Sequence, residues 1–215
     1  MARGMEPDGL YVESPNDQFS IIHLLKRHGV SFDVGHRSVN VNSQKNDRGV
    51  LDSMAIAIKA GSGRTVGFVI DADDSLVNRW KQIADRLRPL GTDLPDLPPA
   101  DGFIGESREY HVRVGVWIMP DNATDGGRLE NMLETLVPNA DPIYTHAQRA
   151  TVEAKEKGAK FSERDTIKAV LQAWLAWQEQ PGHPYGIAIE SKYFTHESEL
   201  AKRFVQWFRK LYKIP

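Results

Sequence analysis

The sequence predicts an α/β fold in which helices flank a mainly parallel sheet. Apolar segments of strand length alternate with amphipathic segments of helix length, and the order β-α-β-α-β-α requires crossovers between parallel strands. Residues 65–70 (Thr-Val-Gly-Phe-Val-Ile) form a nearly continuous apolar run, which is typical of a strand buried on both faces. This run stops abruptly at three carboxylates, Asp71, Asp73 and Asp74.

The first predicted unit is a strand over residues 10–13 and a helix ending near residue 28. Glu13 closes the strand, and Ser-Pro-Asn-Asp at 14–17 is a turn and helix-start cluster. Gly29 ends the helix, as glycine commonly does. Asp17 has two possible roles. It complements the helix dipole as an acid in the first turn, or it belongs to a site at the strand end.

The next two units lead to the apolar run and past it. The predicted elements are a strand over 30–41, a polar loop over 42–49, a helix over 50–60, the central strand from 65 and a helix over 76–90. Asp73, Asp74 and Ser75 have a simple alternative role as caps of the last helix. A cap accounts for one of them and leaves Asp71, at the end of a buried strand, unexplained.

The remaining chain is predicted to complete the sheet and then to cover it. The predicted elements are a proline-rich loop over 91–105, a strand over 111–119, helices over 128–137, 143–157 and 162–177, a short strand over 186–189 and a helix over 197–212. We expect an α/β core over residues 10–137. Residues 138–215 should pack onto it as part of one compact unit, because their aromatic faces need cover.

Composition narrows the functional classes. The 215 residues carry 27 Lys and Arg against 29 Asp and Glu, which excludes a globally basic nucleic-acid coat but permits a local basic groove. There is no Cys, so disulfides and thiolate sites are excluded, and a reducing compartment suits the chain. Residues 1–9 have no apolar signal-peptide core, and no apolar run is long enough to span a bilayer. We therefore expect a cytoplasmic protein without a membrane segment.

Acidic residues follow several predicted strands. They are Glu13, Asp71 with Asp73, Asp121, and Glu130 behind a Gly-Gly turn. Carboxyl ends of parallel strands meet at one sheet edge, so these acids can share a site. Oxygen donors without Cys or a His pair favour Mg²⁺ or Mn²⁺ over zinc. Such an ion beside a carboxylate of raised pKa is the usual apparatus for phosphoryl transfer or phosphodiester cleavage.

The same residues carry a family resemblance. A glutamate closing the first strand, followed two βα units later by an apolar strand ending in Asp-x-Asp, resembles the Toprim domain of topoisomerases, primases, recombination proteins and overcoming-lysogenization-defect-type nucleases. Three segments are similar, more narrowly, to a bacterial family of Toprim-related proteins of unknown function. They are residues 11–13 with Asp17, residues 69–73, and residues 115–122 leading to 127–130. The C-terminal segments fit that family too, so the resemblance covers nearly the whole chain.

The resemblance implies a Toprim/Rossmann-like fold and roles for individual residues. Glu13 corresponds to the proposed general acid/base, and Asp71 and Asp73 correspond to the Mg²⁺ ligands. From their own positions in the chain, we expect Asp17, Asp121 and Glu130 to be further acids of the cleft. One position departs from the pattern: Ser14, followed by Pro15, stands where Toprim sequences usually have a glycine that permits close backbone approach.

If the protein is a nuclease, its partner is DNA or RNA, and cations around the acidic edge are needed to contact the phosphates. The candidates for phosphate contacts are Arg37, Lys45, Arg48 and Arg64. The sequence leaves open whether the protein forms a homo-oligomer or binds a protein partner.

Two other functional classes remain open from the sequence. A haloacid-dehalogenase-like phosphatase would use Asp71 as nucleophile, but its motif usually lies near the chain start and leaves Glu13 unexplained. A non-catalytic module would use the sheet edge to bind a nucleotide, a nucleic acid or a protein.

Overall fold

The structure is a computed structural model that describes residues 7–32 and 38–215. Within these residues the sheet has five strands in the order β2-β1-β3-β5-β4. All neighbouring pairs are parallel except β4 with β5, which is antiparallel. The strands are β1 (Asp8–Val12), β2 (Val39–Ser43), β3 (Thr65–Asp71), β4 (Phe103–Ser107) and β5 (Val112–Met119). The predicted α/β fold with a mainly parallel sheet is confirmed.

Helices occupy most of the remaining described chain. They are α1 (Pro15–Arg27), α2 (Asp47–Lys59), α3 (Leu76–Leu87), α4 (Leu129–Glu134), α5 (Pro142–Glu156), α6 (Thr166–Leu175), α7 (Tyr185–Glu190) and α8 (Glu199–Tyr212). Two 3₁₀ helices span Arg88–Leu90 and Glu163–Asp165. None of the helices within the described residues is long and apolar enough to cross a membrane.

Both faces of the sheet are covered, which explains the unbroken apolar run in β3. Successive β3 side chains alternate between two buried clusters: Val69 belongs to one and Ile70 to the other. Helices α1, α4, α5, α6, α7 and α8 contribute to the first cluster, and α2 and α3 contribute to the second. Gly67 lets α8 approach β3 closely, because a Cβ at this position would lie 2.9 Å from Cδ2 of Leu211.

The chain reverses its direction of sheet growth beside β1. It adds β2 on one side of β1 and then returns to place β3 on the other side. In open α/β sheets, ligands bind outside the carboxyl ends of the strands at such a switch point. Glu13, directly after β1, and Asp71, the last residue of β3, therefore flank the expected binding crevice.

The second strand and its helix differ from the prediction. The strand runs over Val39–Ser43, so Asn42 and Ser43 belong to it and pair with β1 instead of starting a loop. Polar residues are tolerated here because β2 is an edge strand. Asn46 then caps α2 by accepting a hydrogen bond from the amide of Gly49, 2.8 Å away. Part of the predicted 30–41 strand falls at 33–37, outside the described residues.

Two other predictions are wrong. Residues 103–105 were expected in a loop, but they begin β4, an edge strand whose Gly105 and exposed Glu106 weaken the strand pattern. The predicted strand over 186–189 is part of helix α7. A short apolar run fits either structure, and here packing against α1 selects the helix. Gly186 permits that packing, since a Cβ there would lie 2.8 Å from the backbone carbon of Phe19.

Candidate functional site

A cleft of about 270 Å³ lies at the carboxyl ends of β1 and β3. We call it the acid cleft because five carboxylates line it: Glu13, Asp17, Asp71, Asp73 and Glu130. The cations in its lining are Lys45, Arg128 and Lys168. The structure therefore brings together five of the six acids that the sequence singled out.

Glu13 and Asp71 are held in place by backbone amides. The amide of Asp71 donates to Oε1 of Glu13 over 2.8 Å, and the amide of Leu129 donates to Oδ1 of Asp71 over 3.2 Å. The other oxygen of each carboxylate accepts no hydrogen bond from the described residues. Each group is thus oriented by one oxygen while the second remains available to a ligand in the cleft.

The turn before α4 brings its first residues to the end of β3. The amide of Ala72 donates to the carbonyl of Gly127 over 3.0 Å, which ties the turn to the strand end. Leu129 and Glu130 follow directly and begin α4. This connection explains how Glu130, distant in sequence, comes to lie beside Asp71.

Burial and mutual repulsion raise the pKa values of the clustered acids. Burial raises the pKa of Glu13 to about 7, with further upward contributions from Asp17 and Asp73, against a lowering by the Asp71 amide. The pKa of Asp71 is raised well above its usual range, first by burial and then by the charges of Glu13, Asp17 and Glu130. A carboxyl group that titrates near neutral pH can accept and donate a proton in catalysis.

Asp17 takes part in the cap of α1 and also lines the acid cleft. Its carboxylate accepts hydrogen bonds from the amide of Ser14, 3.0 Å away, and from the Ser14 hydroxyl, forming a capping box for α1. It is also buried in the acid cleft, and its pKa is raised by burial and then by Glu130. Ser14, the departure from the Toprim pattern, is the N-cap of α1, and Pro15 is its first residue.

Asp73 is surrounded by arginines. Its carboxylate accepts hydrogen bonds from Arg79 and Arg164, and Nε of Arg128 lies 3.6 Å from its Oδ1. This carboxylate is therefore paired with three cations, and its role as a metal ligand stays a prediction. Sequence reasoning missed all three arginines; only Arg128 had a signal, because it stands within the segment 127–130 that carries the family resemblance.

The predicted cations differ in their position relative to the acid cleft. Lys45 lines the acid cleft, and Lys168 on α6, which the sequence analysis missed, joins it there. Arg48 is not among the residues that line the cleft; it is 86% exposed and pairs with Asp52 on the same helix at 3.6 Å. Arg64 precedes β3 and lines a different cavity, at the opposite edge of the sheet. Arg37 lies outside the described residues.

Asp121 is not part of the acid cleft. Its Oδ1 accepts hydrogen bonds from the amides of Ala123 and Thr124, at 3.0 and 2.8 Å, and its Oδ2 accepts one from the Thr124 hydroxyl. Because Asp121 is absent from the lining of the acid cleft, its predicted placement there is wrong. A local Asx-type turn uses this carboxylate to shape the loop after β5.

The acid cleft offers the donor chemistry of a hard cation. The ionisable oxygen donors that line the cleft are carboxylates, and no His lines it. Within the described part of the chain, no group of three or more His, Asp or Glu side chains is placed to hold a metal ion. Mg²⁺ does not need such a group, because it usually keeps several waters and takes one or two carboxylates together with substrate phosphates. Oriented carboxylates with a free oxygen fit that mode.

Comparison with known proteins identifies a family for this chain. The family model described as "Protein of unknown function (DUF3226)" matches residues 7–213. Searches of the curated proteins and of the solved structures find no match. Because the family match covers nearly all of the 215 residues, the chain belongs to the DUF3226 family of proteins of unknown function.

Proposed function

We propose that this protein is a divalent-metal-dependent phosphodiester hydrolase acting on nucleic acid, with the acid cleft as its active site. The observation that carries the proposal is the meeting of Glu13 and Asp71 at the switch point of the sheet, each oriented by a backbone amide with one oxygen left free. The resemblance to the Toprim domain supports the same assignment, since Glu13 and Asp71 match its glutamate and its first aspartate.

Asp71 and Glu130 are the residues that would hold the ion. Both line the cleft, and their charges interact strongly enough for Glu130 to raise the pKa of Asp71. When bound, the ion would draw charge off a phosphate and supply a nucleophilic water at neutral pH. Asp17 would contribute charge, while its Oδ2 stays committed to Ser14 and to the helix cap.

Glu13 is suited to move the proton. With a pKa of about 7, it is present in both protonation states at neutral pH. General acid–base catalysis works best with such a group, because its pKa lies near the operating pH. Its hydrogen bond to the amide of Asp71 fixes its position relative to the residue that would hold the ion.

Two lysines would hold the substrate strand. Lys45 and Lys168 are exposed at the cleft, and neither forms an ion pair with another described residue. Unpaired lysines beside an acidic site can contact phosphates without neutralising the acids. This arrangement favours a polyanionic strand over a small uncharged ligand.

The test combines metal binding with cleavage. Purified protein should cut labelled DNA or RNA with Mn²⁺ or Mg²⁺. Calorimetry should show Mn²⁺ binding that Asp71→Asn removes and Glu13→Gln retains, while both variants lose cleavage. Asp74→Asn is the matched control, since Asp74 is 87% exposed beside the cleft and should leave binding and cleavage unchanged.

The absence of cleavage on every nucleic acid tested, together with absence of Mn²⁺ binding that depends on Asp71, would contradict the proposal. The non-catalytic binding module would then be the better explanation of the acid cleft.

A further inference from the structure

Three guanidinium groups converge on the single carboxylate of Asp73. Arg79 comes from α3, Arg128 from the residue before α4, and Arg164 from the 3₁₀ helix Glu163–Asp165. Arg79 and Arg164 donate hydrogen bonds to its two oxygens, and Arg128 lies 3.6 Å from one of them. We call Arg79, Arg128 and Arg164 the arginine cluster. Each arginine also pairs with a second carboxylate, and Asp73 is the one carboxylate that all three share.

Outer acceptors hold the buried members of the cluster in place. Arg79, whose side chain is 5% exposed, also donates to Asp47 over 3.1 Å and to Gln82 over 3.0 Å. Arg128, at 19% exposure, donates to Asp165 over 3.2 Å. These contacts would remain if the Asp73 carboxylate moved away. Arg79 and Arg128 are therefore pre-organised around the position that Asp73 occupies.

Asp73 stands between two openings. It lines the acid cleft and also a second cavity of about 240 Å³, whose lining includes Arg79 and Arg164. Its side chain is 24% exposed, and its backbone φ of 53° lies in the left-handed region, as suits a short turn after β3. A ligand can reach the arginine cluster from solvent on the same side of the sheet as Glu13 and Asp71.

We propose that the arginine cluster is a phosphoryl-binding subsite and that the Asp73 carboxylate occupies it until a substrate phosphate takes its place. Guanidinium groups bind carboxylate and phosphate oxygens with the same forked geometry. A phosphoryl group has more oxygens than a carboxylate and so can satisfy three arginines at once. The inference rests on the proposed function, since the subsite would seat a phosphate of the substrate beside the acid cleft.

Competition between Asp73 and phosphate makes the proposal measurable without metal or turnover. Phosphate must displace an internal carboxylate in the wild-type protein, which lowers its apparent affinity. Asp73→Asn removes the competing charge and should tighten inorganic phosphate binding by about tenfold, within the usual range for coupled binding events. Asp74→Asn is the matched control, because it removes an equal charge from the lining of the same cavity, 3.5 Å from Arg164, and leaves the Asp73 carboxylate in the cluster.

The experiment is calorimetric titration of inorganic phosphate in the presence of a chelator. We expect Asp73→Asn to bind phosphate more tightly than Asp74→Asn does. The double variant Asp73→Asn/Arg164→Gln should lose this increase in phosphate affinity. Equal affinity of Asp73→Asn and Asp74→Asn overturns the proposal, and so does a gain that survives Arg164→Gln.

A second measurement covers the case in which Asp73→Asn does not fold. Phosphate should then raise the melting temperature of the wild type more than that of Arg164→Gln, and an equal rise would overturn the proposal. Oligonucleotides with and without a 5′-phosphate identify the source of the group. Preference for the phosphorylated strand indicates a terminal phosphate, whereas equal binding that needs Arg164 indicates an internal diester.

Failure of this test leaves the proposed function intact, because Mn²⁺ binding and cleavage are measured separately. Conversely, a phosphate subsite without metal-dependent cleavage would indicate a binding protein for phosphorylated ligands.

Discussion

Replacing Glu13 by Gln should stabilise the folded protein at alkaline pH and have a much smaller effect in acid. The reason is that burial raises the pKa of Glu13 from 4.5 to about 7, so ionisation is costlier in the folded state than in the unfolded chain. Gln is nearly isosteric and keeps a carbonyl oxygen that can accept the hydrogen bond from the amide of Asp71. The substitution therefore removes the charge and preserves the contact.

The sign and size of the stability change in Glu13→Gln follow from proton linkage. Between pH 4.5 and 7 the folded protein binds the Glu13 proton more tightly than the unfolded chain, so the free energy of unfolding falls as pH rises through this interval. Ionisation of Glu13 lowers the free energy of unfolding by about 3 kcal/mol at pH 8 and by about 1 kcal/mol at pH 5. These are upper figures, because solvent reaching the partly exposed side chain screens the penalty. In a chain of this size the gain at pH 8 corresponds to a rise in Tm of roughly 5–10 °C.

Urea denaturation at pH 5 and pH 8 with a chelator measures the effect. Glu13→Gln should gain stability at pH 8 and considerably less at pH 5. Glu163→Gln, at a glutamate that is 84% exposed, is the control and should behave alike at both pH values. Loss of stability in Glu13→Gln at pH 8, or an equal gain at both pH values, would show that the fold satisfies the Glu13 charge and would refute the reasoning.

Three further outcomes are expected. Replacing both Lys45 and Lys168 by Ala should weaken oligonucleotide binding and reduce the slope of log affinity against log salt by about 1.4 for a single strand, measured by fluorescence anisotropy. Ser14→Ala should cost about 1 kcal/mol in urea denaturation, because it removes the N-cap oxygen of α1. Gly67→Ala should cost about 1–3 kcal/mol in the same assay, because its Cβ would lie 2.9 Å from Leu211 in a packed core; an unchanged midpoint would show that α8 shifts freely.

The sequence by itself determined the β1–α1 unit, β3 and the acids at the ends of these strands. These features depend on local patterns: an apolar run, a capping cluster and an acid at its end. The rule that parallel strands share one carboxyl edge then predicts that Glu13 and Asp71 meet. The same rule could have excluded Arg64, since a residue that precedes a parallel strand lies at the opposite edge.

Only the tertiary structure decided how the C-terminal part contributes to the site. The run 186–189 forms a helix because its neighbours in space offer a helical packing surface rather than a strand edge. Lys168 and Arg164 reach the acids from segments far away in sequence, and no local pattern distinguishes them from solvated surface charges. The state of Asp73 is likewise a tertiary property. Its sequence context favours a metal ligand, whereas three arginines brought together by separate segments pair its carboxylate. Charge interactions depend on distance through space, which sequence separation does not determine.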